Sequence, residues 1–272
     1  MLQTVSRLPR TKGKVRLGFA RAGGRTVLSE LHQAGAGRVR FPRTHQGPPE
    51  AVLLNTAGGL TGGDHLTVDL SLASGCEATV TSAAAEKIYR SLGEPAVVEI
   101  TLDLEANARC LWLPQPTILF NASSLHRRTS VNMAPDAVLL AVEMLIFGRT
   151  AMGEDVHVGS CHDAWRVRRD GRLIFADTTQ ITGTVARALN RAATLDGARA
   201  SAMVLYIGPD AAERLEEVRT LLEPASSIAR ASSWNGMLLI RAVASEARAL
   251  QHDMVPVLEA LGGRPLPRVW QC

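Results

Sequence analysis

A mainly β protein, with stacked β-sheets and two α-helices in its C-terminal third, is predicted by three features of the sequence. Short runs rich in Val, Leu, Ile and Thr recur through roughly the first two hundred residues, separated by Gly, Pro or Asn at spacings usual for sheet proteins. Two of these runs alternate apolar and polar side chains with period two, the pattern of a strand with one buried face. Beyond Pro209 the apolar residues change to helical spacing.

Taken in order, residues 25–32, 51–54, 65–72, 78–82 and 97–104 read as strands. In the third, Leu66, Val68, Leu70 and Leu72 share one face, with Thr67, Asp69 and Ser71 on the other. In the fifth, Val98, Ile100, Leu102 and Leu104 alternate with Glu99, Thr101 and Asp103, so each sheet is expected to have one buried and one wetter face. Pro114 and Pro116, between Trp112 and Phe120, mark an edge or crossing segment with both aromatics in the core, because proline cannot donate to a ladder. Residues 137–147 are nearly all apolar and read as a strand buried on both faces, with a short helix as the alternative.

The tail reads β-α-β-β-α. A strand at 202–207 precedes a helix at 209–223, with Leu215, Val218 and Leu222 on one face. Strands at 226–231 and 237–243 form a hairpin turning at Asn235-Gly236, a sequence suited to paired positive φ angles. A second helix at 244–261 carries Leu250, Met254, Val257, Leu258 and Leu261 on one stripe, is interrupted by Pro256 and stops at Gly262-Gly263. No linker or repeat forces a boundary, so residues 1–272 are read as one domain, with a C-terminal α/β subdomain at about 200–262 as the other division.

Composition narrows the class. At 272 residues, 46% hydrophobic and 21% charged, the chain can bury a substantial core and does not read as disordered. A formal net charge of +4 is too diffuse for a dedicated nucleic-acid binder. The longest apolar stretch, 138–147, is broken by Glu143 and too short to span a bilayer, and the N-terminus has no secretory signal. Cys76, Cys110, Cys161 and Cys272 are widely separated, as expected for reduced thiols and a cytoplasmic protein.

Four segments carry candidate chemistry. Residues 55–64 hold Gly58, Gly59, Gly62 and Gly63. This run lacks the Lys and Ser/Thr of a P-loop and leads into a strand, so it reads as a sharp strand-to-strand loop presenting Asp64 rather than a phosphate cradle. Gly59 and Gly62 are expected to need positive φ. Residues 83–91 crowd Glu86, Lys87, Tyr89 and Arg90 into a short loop, either a polar patch lining a channel or interface or an ordinary solvated loop. Residues 112–120 read as core. Residues 154–163 bring together Glu154, His157, Cys161, His162 and Asp163, all metal-ligand types, but at no established metal spacing. They suggest weak or transient metal contact, or a metal-dependent hydrolase as the alternative function. No nucleophile elbow or triad order is present to support catalysis.

Read together, NTAGGLTGGD at 55–64, AAEKIYRS at 84–91, WLPQPTILF at 112–120, FGRTAMGE at 147–154 and LPRVW at 266–270 resemble the UreD (UreH) urease accessory family. The order and spacing of these motifs cover nearly the whole chain. One departure is Pro116, where the family usually carries an acidic residue. The resemblance implies stacked sheets with a pair of helices and no catalysis. It also implies binding to urease apoprotein and to UreF, which recruits the GTPase UreG; a dimer of such heterocomplexes fits these partners. The assembly would deliver nickel to the urease active site through a water-filled passage, with nickel in transit and no stably bound cofactor. On this reading Asp64, Glu86, Glu143 and Glu154 would line or gate the passage, with Lys87, Tyr89 and Arg90 lining it or meeting a partner. His157, Cys161 and His162 would be weak metal contacts at most, and the glycine loop would shape the path.

Overall fold

The computed structural model describes residues 10–43, 47–149 and 153–271. Its elements in chain order begin with β1 (Lys12–Ala22), β2 (Arg25–Gly35), β3 (Gly37–Arg40), β4 (Glu50–Asn55), β5 (His65–Leu72) and β6 (Glu77–Ser82). They continue with β7 (Glu86–Ile88), β8 (Ala96–Leu104), β9 (Arg109–Leu113), β10 (Thr117–Leu119), β11 (Ser124–Met133) and β12 (Val138–Phe147). The remainder comprises β13 (Val158–Arg169), β14 (Arg172–Thr184), α1 (Val185–Leu189), β15 (Ala200–Ile207), α2 (Arg214–Leu222), β16 (Ile228–Trp234), β17 (Met237–Ala244) and α3 (Ala247–Gly262), with a closing 3₁₀ turn at Arg268–Trp270.

From β4 to β12 the chain winds between two stacked sheets. β5, β8 and β11 lie parallel in the first. β4, β6, β9 and β12 lie parallel in the second. Parallel neighbours cannot be joined by a tight hairpin, and here each return passes through the other sheet, giving a solenoid-like coil. The first sheet has the order β14-β13-β11-β8-β5-β1-β2, and the second runs β16-β17-β15-β12-β9-β6-β4-β3. The short strands β7 and β10 pair with each other, and β10 also pairs with β12.

The inner faces meet in one core that includes Leu17, Leu70, Leu102 and Trp165 from the first sheet and Val80, Trp112, Leu139 and Leu145 from the second. A second core lies on the other side of the second sheet, where Leu140, Val142, Val204 and Tyr206 pack with Val218 of α2 and Leu250, Met254 and Leu258 of α3. The central strands of the second sheet are therefore buried on both faces, whereas its edge strand β16 keeps an exposed one. This corrects the expectation of a wetter face on each sheet, which holds for the first sheet and, in the second, only at that edge. It also explains why β12 is a nearly unbroken apolar strand: a strand covered on both sides has no polar face to display.

The five expected strands, the fully buried strand and the β-α-β-β-α tail are all present. The hairpin turns through Asn235 (φ 50°) and Gly236 (φ 71°). The proline-flanked segment is a crossing: β9 sits centrally between β6 and β12, and Pro114 and Pro116 fall in the break before β10. Helix α2 starts later than expected, at Arg214, and α3 runs through Pro256 without ending there. Gly263 closes α3 in the left-handed region (φ 68°), its N–H donating to Glu259 and Ala260. The five-residue α1 has no counterpart in the sequence reading. No helix among the described residues is long and apolar enough to cross a membrane.

Candidate functional site

A cavity of about 310 Å³ lies between the inner faces of the two sheets. Its walls are largely apolar, with Val68 and Ile100 on one side and Trp112 on the other. A small set of polar groups projects into it: Asn55, Glu86, Thr117, Arg127, Thr129 and Glu143. Lys87 and residues 82–85 form part of its lining, Lys87 being exposed.

Three of the sequence motifs meet at Glu86. Parallel pairing of β7 with β10 sets Glu86 opposite Thr117, which joins the second motif to the third. Asn55, from the glycine-rich motif, donates through Nδ2 to Glu86 Oε1 (3.1 Å) and to the Gly59 carbonyl (3.2 Å). Burial raises the Glu86 carboxyl above the usual glutamate range, against the smaller opposing pull of the Asn55 amide.

Deeper in the cavity wall sits an ionic cluster. Arg127 (β11) donates Nε to Asp163 Oδ1 of β13 (2.9 Å), Nη2 to Asp163 Oδ2, and Nη1 to Thr117 Oγ1 (2.9 Å). Arg127 Nη2 also lies 2.9 Å from Glu143 Oε2, which accepts from Trp165 Nε1 (2.6 Å). Burial pushes Asp163 up, but the Arg127 charge and its paired hydrogen bonds outweigh that and hold it low. Burial drives Glu143 well above its ordinary value, and the neighbouring Asp163 charge adds to the effect against the pull of Arg127. Arg127 is held charged: burial disfavours its cation, but Asp163 and Glu143 overcome that. One guanidinium thus bridges two buried carboxyls whose proton affinities are pushed apart, Asp163 held low and Glu143 raised. Thr129, fully buried on the same strand, has no hydrogen-bond partner for Oγ1 among the described residues.

The other sequence-predicted residues lie elsewhere. Asp64 is not presented to solvent or to the cavity: it is buried, and its carboxylate accepts from the backbone N–H groups of Thr11 (2.7 Å) and Thr61 (2.8 Å). It staples its own loop. Tyr89 donates to the Gly58 carbonyl (3.2 Å) and stacks edge-on against Phe120. Arg90 is exposed, and its backbone bridges to that of the buried Ser123. Glu154 accepts from Arg149 Nε (2.7 Å) and Asn121 N–H (3.3 Å); burial pushes its carboxyl up, but these contacts together outweigh that and hold it below its ordinary range.

The 154–163 cluster is dispersed. Period-two geometry sends Cys161 and Asp163 into the core and His162 to the outer face. Burial raises the Cys161 thiol to about 12. His157 is exposed, and its backbone N–H donates to Asn121 Oδ1 (2.9 Å). Among the described residues no three His, Cys, Asp or Glu side chains are grouped to hold a metal, so the cluster does not assemble the centre that a metal-dependent hydrolase needs. Residues 150–152 of the fourth motif and Cys272 lie outside the described residues.

The glycine loop is shaped by close approach as much as by φ. Gly58, Gly59 and Gly63 have φ of 76°, 149° and 85°, but Gly62 is not in the left-handed region. A Cβ there would lie 2.1 Å from Ser91 Oγ and 2.3 Å from the Glu94 carbonyl, so Gly62 is needed because backbone passes over it. At Gly59 both reasons apply, since a Cβ there would meet Tyr89 Cε2 at 2.4 Å.

Sequence reasoning missed Arg127, although the signal was legible. In β11, Leu125, Thr129, Val131 and Met133 face inward, and Arg127 stands in that apolar register. Asp163 stands likewise among Cys161, Trp165 and Val167. A charge in the inward register of two neighbouring strands points to a buried pair.

A family model described as UreD urease accessory protein matches residues 11–271. A protein of Azorhizobium caulinodans described as urease accessory protein UreD is 45% identical over 264 residues, covering 97% of each chain. Proteins so described from a Methylobacterium species and from Rhizobium leguminosarum bv. viciae are 44% and 42% identical, each over 97% of this chain and 96% and 97% of their own.

Proposed function

The chain belongs to the UreD family of urease accessory proteins, and from that premise we propose that it is a non-catalytic scaffold that passes nickel to urease apoprotein through its internal cavity, along the polar groups set in its wall. It binds urease and UreF, and receives the ion from the UreG GTPase by way of UreF. The observation that carries this reading is the convergence of three family motifs on Glu86 at the wall of the cavity between the sheets.

The chemistry of the wall suits passage rather than storage. A conduit must admit an ion and release it, so its ligands should be few, mostly oxygen and hydrated. Glu86 offers one carboxylate, and Thr117 and Thr129 offer hydroxyls. Asp163 neutralises Arg127, which removes the repulsion a lone buried guanidinium would impose on a cation. A volume of about 310 Å³ corresponds to roughly ten waters, and the unpartnered Thr129 hydroxyl gives water a bonding site there.

The test is to co-express the tagged chain with the urease subunits and UreF, then measure complex mass, urease-bound nickel and urease activity. Glu86→Ala is expected to leave the complex intact while lowering nickel incorporation and activity. Loss of complex formation would make Glu86 a structural or interface residue instead. Unchanged nickel incorporation would remove the cavity from the delivery route.

A further inference from the structure

The outer face of the first sheet carries a second constellation, on the side away from the cavity. Parallel pairing of β11 with β13 sets His126 directly opposite His162. Their sequence neighbours Leu125, Arg127, Cys161 and Asp163 are buried inward, so both imidazoles rise from the outer face. The rings touch, with centroids 4.7 Å apart and planes inclined at 72°.

That separation matches chelation. A borderline divalent cation sits about 2.0–2.1 Å from an imidazole nitrogen, so each ring centroid lies roughly 3.2 Å from the ion. Two such rings are then roughly 4.5 Å apart when they subtend a right angle at the metal and roughly 5.2 Å apart at the tetrahedral angle. The observed 4.7 Å falls between these limits. A second observation concerns the nitrogens: His162 Nδ1 is buried and has no hydrogen-bond partner among the described residues. Imidazole nitrogens of metal-binding or structural histidines are ordinarily both engaged. The nearby polar groups do not supply that partner, since the Ser124 and Ser160 hydroxyls two positions along the same strands bond each other at 2.6 Å.

We propose that His126 and His162 form a two-imidazole site for a borderline divalent transition cation such as Ni²⁺, Zn²⁺ or Cu²⁺, with water in the remaining positions. Two protein ligands are fewer than the three of a catalytic zinc or the four of a structural one, so the ion exchanges readily. Arg128, two positions along β11 on the same outer face, adds a like charge that further limits its residence. The site is independent of the passage reading, because it lies on the opposite face of the sheet from the cavity.

The test titrates the purified full chain with Ni²⁺ and Zn²⁺ by calorimetry and compares His126→Ala, His162→Ala and His157→Ala. Each of the first two is expected to weaken the strongest binding step by about 10–100-fold, while His157→Ala leaves it unchanged. Electron paramagnetic resonance of the Cu²⁺-loaded chain should show hyperfine coupling to two imidazole nitrogens, falling to one in His126→Ala. His162→Gln, which keeps a polar side chain of similar reach, replaces His162→Ala if the latter does not fold. Affinity unaltered in the His126 and His162 variants, or lost equally in His157→Ala, overturns the proposal. Urease activation assays do not enter this test, so its failure leaves the delivery reading untouched.

Discussion

Arg127 lies between two buried carboxyls that respond differently to burial and charge. Glu143 and Asp163 flank one guanidinium, and their carboxyls are shifted in opposite directions. The folded protein binds the Glu143 proton more tightly than the unfolded chain does. Its contribution to stability is therefore full below the ordinary glutamate value of about 4.3 and is lost as pH rises through the elevated folded value. Glu143→Gln keeps an acceptor for Trp165 and a donor toward Asp163 but cannot titrate. The melting temperature of this variant should gain on the wild type as pH is raised from 5 to 8; parallel curves would show that Glu143 ionises normally. Asp163 has the opposite sign, its contribution being present above about 3.9 and lost as pH falls through the depressed folded value. Arg127→Leu leaves Asp163 buried without its partner, a loss of about 3–5 kcal/mol. Chemical denaturation would measure this, and a loss below about 1 kcal/mol would mean that water reaches Asp163.

At the scale of elements, the glycine loop and β7 form one unit. Leu60 bridges to Ile88 in parallel, and the Leu60 and Tyr89 N–H groups donate to the carbonyls of Lys87 (2.8 Å) and Leu60 (2.7 Å). Backbone runs so close over Gly62 that even Ala has no room. Gly62→Ala should therefore destabilise by about 1–3 kcal/mol, as overpacking does. Gly59→Val combines a clash on Tyr89 with a φ that β-branched residues avoid, and should be worse. Comparing the two by urea denaturation separates the causes, and equal stability of Gly62→Ala and wild type would refute the close-packing account. Because Asn55 ties this loop to Glu86, either variant should also disturb the cavity mouth.

For the molecule as a whole, the C-terminal motif closes the second core onto the coil. Trp270 is buried and donates Nε1 to the Leu113 carbonyl (3.1 Å), while Gln115 Nε2 donates to the Val269 carbonyl (3.1 Å). Residues 266–270 are thus packed on residues 112–120 across more than 150 positions of sequence. Arg264 pairs with Glu77, which also holds Arg109, and Arg109 caps the end of α3 through the Gly262 carbonyl (3.0 Å). Trp270→Ala should cost about 3–5 kcal/mol, the range for a buried aromatic. A melting temperature within a few degrees of wild type would show that the tail docks without supporting the sheet.

Local periodicity is the part of this fold that can be read from the chain alone. Alternation in β5 and β8, the unbroken apolar run of β12, the Asn-Gly hairpin and the stripe of α3 each report a strand, turn or helix face, because they depend on neighbours within a few positions. The family motifs were legible for the same reason, as runs of adjacent residues. The tertiary structure alone decided which residues meet. It removed Asp64 from the candidate passage by burying it under two backbone donors, and it split Cys161 from His162 across a strand. It also joined Arg127 to Asp163 and Glu143, and His126 to His162, over separations of 16 to 36 residues. Register between parallel strands sets those encounters, and register follows from how the coil returns through the opposite sheet, which no single stretch of sequence records.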